Sequence, residues 1–219
     1  MDINPCPLSG HWKEGFALDL HTLSSAPKEW TTKKINQAEL IDGKITVVEK
    51  EVPDQITKWD TVYTPIGAEM NHLKYWKERH RAEIIGATAA NFLQQKIVTW
   101  AIDIIIPIPP SDTTRDFQPV FEIVKQLSRL TNIKVDFELL KKLKSTSQLK
   151  QIEEPQARKD VLNGAFSIEN NVLLNKNVLL FDDLYRSGET LNAVADIILN
   201  QGKAKNIYVL TVTKTRSKR

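Results

Sequence analysis

A single cysteine, Cys6, stands in a chain of 219 residues. That scarcity excludes an internal disulfide framework and any cysteine-rich zinc site, and it fits a reducing compartment. Cys6, His11 and His21 also lack the spacing of metal ligands. No apolar run approaches the roughly 20 residues needed to cross a bilayer, and the opening MDINPCPLSGHWKEGF has no cationic segment leading into an apolar one. A soluble, cytoplasmic protein with no membrane partner is expected. Neither sign of charge dominates: the formal charge of +3 is too mild to announce a nucleic-acid binder. The tail KTRSKR, residues 214–219, gathers four cations in six residues. It reads as a solvated end, with nucleic acid kept only as a secondary partner. Repeats and low-complexity segments are absent, and so is the G-x-x-x-x-G-K-[ST] loop that a nucleoside triphosphatase requires.

What is present suffices for one sizeable core with a small appended lobe: 41% of the residues are apolar. The pattern changes character near Trp100. Before it, AELIDGKITVVEKEV signals a hairpin, because Asp42-Gly43 supplies the positive φ angles of a tight turn between alternating segments. Residues 67–96 read as helical with a break at 78–82. His72 and His80 on that stretch read as surface or packing residues, and the five tryptophans, Trp12 to Trp100, as the core of the smaller lobe. The division expected is an N-terminal lobe of residues 1–66 carrying the hairpin and a larger domain of residues 67–219.

After Trp100 apolar runs alternate with amphipathic stretches. AIDIIIPIP, NVLLF and NIYVLTVT read as strands, FQPVFEIVKQLSRLT as a helix, and TLNAVADIILNQG as a helix closed by Gly202. Strands without polar alternation, separated by helices, indicate an α/β fold with a parallel sheet covered on both faces. Ligands collect at the carboxyl ends of such strands. Two polar segments lie at those ends, PIPPSDTTRD and DDLYRSGET.

The second segment carries recognisable chemistry. A helix beginning near Ser187 or Gly188 would offer unpaired backbone N–H groups, hydroxyls from Ser187 and Thr190, and close approach at Gly188, which together make a monophosphate cradle. Asp182 and Asp183 would repel a phosphate, so their natural partners are sugar hydroxyls or hydrated Mg²⁺. A phosphate with diol-binding acids one step back describes a ribose 5-phosphate. Capping by Asp183 and Ser187 alone would explain acid and hydroxyl but not the whole arrangement.

VLLFDDLYRSGETL resembles the phosphoribosyl pyrophosphate (PRPP) motif of type I phosphoribosyltransferases, and the wider chain resembles ComF-like competence proteins. PIPPSDTTRDF, KSTSQLKQ, RKDVLNGAF and FDDLYRSGET follow that family's order over residues 104–213, and TPIGAEMNHLKYWKE resembles its upstream helix. The resemblance implies a type I phosphoribosyltransferase-like α/β fold and a phosphoribosyltransferase activity. It gives Asp182 and Asp183 the ribose hydroxyls, directly or through waters of Mg²⁺, and gives Arg186, Ser187, Gly188, Glu189 and Thr190 the 5-phosphate. Pro110, Ser111, Asp112 and Arg115 would meet the pyrophosphate, with Arg115 neutralising the leaving group. Lys144, Gln148 and Arg158 would belong to a flexible hood that excludes water. The reaction passes through an oxocarbenium-like ribose, which suits paired acids and cations with no histidine nearby.

Three departures stand beside the likeness. The cysteine-rich finger that often begins ComF-like proteins is absent, RDFQP replaces the family's R-G-F-N-Q, and Glu189 puts an anion in the phosphate loop. The expected activity is therefore Mg²⁺-dependent transfer of ribose 5-phosphate from PRPP to a nitrogen nucleophile such as a nucleobase. A PRPP- or nucleotide-sensing regulator and an accessory protein of DNA uptake are the other two classes, and a homodimer is left open.

Overall fold

The computed structural model describes residues 1–41, 44–110, 117–144, 161–162 and 164–216. Its main unit spans Met1–His21 and Thr64–Arg219, and Thr22–Tyr63 forms a second unit.

In the main unit a six-stranded sheet runs in the order β1, β2, β10, β9, β5, β6. Its members are β1 (Cys6–Pro7), β2 (Glu14–Leu20), β5 (Ile104–Pro107), β6 (Lys134–Val135), β9 (Asn177–Tyr185) and β10 (Asn206–Lys214). All neighbours pair in parallel except β1 with β2, so the sheet is mixed at one edge. The expected α/β architecture, a central parallel sheet flanked by helices, is otherwise the one observed.

The reason lies in residue type. Along β9, Leu179 and Phe181 face one core cluster while Val178 and Leu180 face another. Along β10, Tyr208, Leu210 and Val212 alternate in the same way with Ile207 and Val209. Strands apolar on both faces can only be buried on both faces. Helices α1 (Pro65–Tyr75), α2 (Arg81–Trp100) and α3 (Pro119–Thr131) contribute to the first cluster, and α4 (Glu189–Asn200) covers the second.

The helical break falls at residues 76–80 between α1 and α2, slightly earlier than the expected 78–82. Thr64 caps α1 by accepting from the Gly67 amide at 3.0 Å, with Pro65 next. Gly202 does not close α4. The cap is Gln201, and the left-handed backbone falls on Lys203 at φ 59°; Gly202 instead serves a close approach, since an added Cβ there would meet the Ile198 carbonyl at 2.8 Å.

The tryptophans do not build a small lobe's core. Trp100 is buried in the main core, stacked on Tyr208 with centroids 4.8 Å apart and donating to Glu14 Oε2 at 2.7 Å. Trp12 is half-buried in the main unit, whereas Trp30, Trp59 and Trp76 are exposed. Lys214 belongs to β10, opposite Tyr185, so the basic tail starts later than expected.

The second unit is the predicted hairpin, far longer than the sequence signal. Strands β3 (Thr22–Ile41) and β4 (Lys44–Tyr63) pair from Ile41 with Lys44 back to Thr22 with Tyr63. The turn residues 42–43 lie outside the described residues.

Candidate functional site

The chain leaves β5 outward to β6 through α3 and returns on the other side of β5 as β9, so strand order reverses between β5 and β9. A crevice at the carboxyl end of such a switch point is where open α/β sheets bind ligands. Pro107 pairs with Phe181, and the Ile108 amide donates to the Phe181 carbonyl at 2.9 Å. Half-buried Pro110 thus leaves β5 beside the place where Asp182 and Asp183 leave the buried part of β9. Ser111, Asp112 and Arg115 lie outside the described residues.

The acids are not at the strand's last position, as the sequence suggested. Strand β9 continues through Tyr185, with Asp182 opposite Thr211 and Leu184 opposite Thr213. The Asp183 amide donates to Asp182 Oδ1 at 2.8 Å, and Asp183 Oδ2 accepts from Lys74 Nζ at 2.6 Å. Burial and the neighbouring Asp183 push the Asp182 carboxyl up to about 8. Burial opposes the Lys74 charge, but Asp183 outweighs it and holds the ammonium above its ordinary range. Lys142, on strand β7 (Lys141–Lys142), feels the Asp182 charge, although burial lowers its own affinity for a proton.

A histidine is nearby, contrary to expectation. His21 Nδ1 lies 3.1 Å from Thr213 Oγ1, and that hydroxyl donates to the Asp183 carbonyl at 3.3 Å. Burial, then the Lys74 charge, depress its pKa below the ordinary imidazole range. His72 contacts Glu78 at 2.9 Å and His80 is exposed, which fits their reading as surface residues.

Sequence inspection missed Lys74, Lys142 and His21 as site residues. Lys74 sits 109 positions from Asp183 and meets it only because α1 packs over the sheet. The LKY match was the one signal that could have pointed to it.

After β9 the chain turns into α4. Gly188 is the N-cap at φ 79°, and no side chain caps the helix. An added Cβ there would meet the Tyr185 ring at 2.8 Å, so replacing Gly188 strains backbone and ring together. Helix N-terminal amides have no intrahelical acceptors, so this first turn presents donors and a positive dipole end. Ser187 and Thr190 are half-buried beside it, Arg186 is exposed, and half-buried Glu189 opens the helix.

Of the expected hood, exposed Lys144 is described, whereas Gln148 and Arg158 lie outside the described residues. The flanks of that segment are tied together by β7 and β8 (Phe166–Ser167), which pair antiparallel in a separate sheet. No group of three or more histidine, cysteine or acidic side chains among the described residues could hold a metal unaided. Asp182, Asp183 and Thr213 do offer hard oxygen atoms, the donor type that suits hydrated Mg²⁺. Surface hollows of about 360 and 370 Å³ lie elsewhere, around Asp136 and Lys141 and around His11 and Trp12. No described helix is long and apolar enough to cross a membrane.

Competence protein ComFC of Bacillus subtilis (strain 168) is 28% identical over 163 residues, 71% of this chain and 63% of that protein. The chain is similar to ComFC over those residues. It spans less than two thirds of that relative's length. Among solved structures, a hypoxanthine phosphoribosyltransferase from Staphylococcus aureus is similar at 14% identity and a TM-score of 0.39, over 63% of this chain and 67% of that one. The hypoxanthine phosphoribosyl transferase of Trypanosoma cruzi is similar at 12% identity and a TM-score of 0.40, over 69% and 68%. No family model matches the chain.

Proposed function

We propose that this protein binds PRPP and transfers its ribose 5-phosphate to a nitrogen nucleophile, a nucleobase-like acceptor, with release of pyrophosphate. One observation carries the reading. An acid pair at the strand-order reversal is followed within a few residues by an uncapped helix start whose glycine has φ 79°. The acids face the ribose hydroxyls, and the first turn of α4 takes the 5-phosphate through backbone amides with Ser187 and Thr190. The 2.6 Å contact with Lys74 fixes the Asp183 carboxylate before substrate arrives. Arg115 serves the pyrophosphate in this reading, and Mg²⁺, held through water by Asp182 and Asp183, would neutralise charge on the departing group.

Glu189 favours a second reading, a PRPP- or nucleotide-responsive regulator without turnover, because a first-turn carboxylate competes with a phosphate for the same dipole end. Two measurements separate the readings. Thermal shift with PRPP, with and without Mg²⁺, should show stabilisation approaching 2.7 kcal/mol at about 100 times the dissociation constant. Pyrophosphate release over a panel of free bases then distinguishes the enzyme from the regulator. Asp182→Asn with Asp183→Asn should remove the PRPP shift while far-UV circular dichroism stays unchanged. An unchanged shift in that double variant would end the ribose assignment.

A further inference from the structure

We infer that His21 is a positioning residue for the ribose-binding acids, acting through Thr213 to fix the main chain of Asp183, an inference that rests on the PRPP reading above. Residue type gives the first sign. Strand β10 is apolar from Ile207 to Leu210 and then carries threonines at 211 and 213, opposite Asp182 and Leu184. It turns polar at the level where β9 turns acidic. Both threonines are fully buried. Valine would fill the same space in a strand with no hydroxyl to satisfy, so threonine at this level marks a polar task.

The direction of the hydrogen bonds follows from what each group can give. A carbonyl only accepts, so Thr213 Oγ1, 3.3 Å from the Asp183 oxygen, commits its single proton there. That leaves only lone pairs for His21 Nδ1 at 3.1 Å, and the ring donates from this nitrogen whether it is neutral or charged. Asp183 is thereby held on three sides. Its amide donates to Asp182 Oδ1 at 2.8 Å, its carbonyl accepts from Thr213, and Lys74 Nζ meets its carboxylate at 2.6 Å. The amide and the carbonyl fix the direction in which the side chain leaves the strand, and Lys74 fixes where it ends.

His21 bears on both ends of this arrangement. Its ring sets the Thr213 hydroxyl, while its carbonyl lies so close to Gly67 of α1, the helix that carries Lys74, that an added Cβ there would clash with it. The His21 amide donates to the Lys214 carbonyl at 2.8 Å, and Thr64 Oγ1 donates to the neighbouring Leu20 carbonyl at 2.6 Å, so this stretch of chain is itself pinned. Burial first, and then the charges of Lys74, Asp183 and Arg186, act on the imidazole, which sets it among the charged groups of the site. Thr213 is shut off from solvent, so water cannot stand in for a lost partner.

Calorimetric titration of the full-length protein with ribose 5-phosphate and with 2-deoxyribose 5-phosphate, both in Mg²⁺, tests the inference. The wild type should bind the ribose form more tightly, because only that sugar presents both hydroxyls to the acids. Thr213→Val and His21→Leu should each weaken ribose 5-phosphate roughly tenfold and lose the preference, with 2-deoxyribose 5-phosphate changed by less than about twofold. The double variant should be no worse than either single one, since both break the same chain of hydrogen bonds. Thr213→Ser keeps the hydroxyl and His21→Asn keeps a donor at the Nδ1 position, so each should restore affinity and preference together. Variants that weaken both sugars alike would show a general loss of packing and overturn the proposal, as would a double variant whose losses add or conservative variants that fail to rescue. A wild type that binds neither sugar phosphate, or both alike, would remove the ribose assignment itself and this inference with it.

Discussion

Strand β9 and the hairpin strands β3 and β4 are made of the same kind of backbone ladder, yet almost nothing else about them agrees. β9 has nine residues, and four of its first five are fully buried between two core clusters. β3 and β4 have 20 residues each, and their side chains are mostly exposed. A short buried strand is fixed by side-chain packing and loses stability with each atom removed. A long exposed ribbon is fixed by cross-strand hydrogen bonds and pairs, and single side chains matter little to it. In the proposed function the chemistry falls to the buried strand, not to the ribbon.

The sharpest way to break this contrast is Phe181→Ala. The ring is fully buried, so urea unfolding should show a loss of about 3–5 kcal/mol. A loss under ~1 kcal/mol would mean that β9 is not held by packing.

Lys74→Met comes next. It strips Asp183 of its counter-ion, and since Lys74 is 29% exposed the loss should be about 1–3 kcal/mol, less than for a fully buried pair. Adding Asp183→Asn should recover part of that loss; no recovery would refute the pairing as the cause.

A smaller effect is expected from pH. The Asp182 carboxyl is raised in the folded protein, so its contribution to stability is full below the unfolded value of 3.8 and is lost as pH climbs through about 8. Without Mg²⁺ or ligand, unfolding free energy should fall across pH 5 to 9 by less than the ~1.4 kcal/mol per pH unit of one whole proton. Asp182→Asn should flatten that slope, and an identical slope would place the titration elsewhere. Smallest of all, Trp30→Ala should change stability by no more than about 0.5 kcal/mol. A larger loss would show that the ribbon has a core after all.

Much of the larger unit was legible in the sequence. Apolar runs identified β5, β9 and β10, and the broken periodicity separated α1 from α2. The acid pair and the helix start at Gly188 could be read as one local unit, because a strand, a turn and a helix cap are written within a dozen residues. The hairpin's turn was visible as Asp42-Gly43, but its length was not. Pairing that gains little from burial leaves no strict alternation of apolar and polar residues, as at Lys33-Lys34 and Pro53. Exposed Trp30 and Trp59 misled for the same reason: residue type reports burial only on average.

By itself, then, the sequence determined which strands would be buried on both faces and that an acid pair and a helix start would lie together near the end of one of them, since these depend on neighbours a few positions away. Tertiary structure alone decided that β9 would lie beside β5, that Lys74 would reach Asp183 across 109 positions, and that His21 would stand behind them through Thr213. Such contacts are set by the order of strands in the sheet and by the helix laid over it. Loop closure costs too little, and grows too slowly with chain length, to write those choices into local sequence.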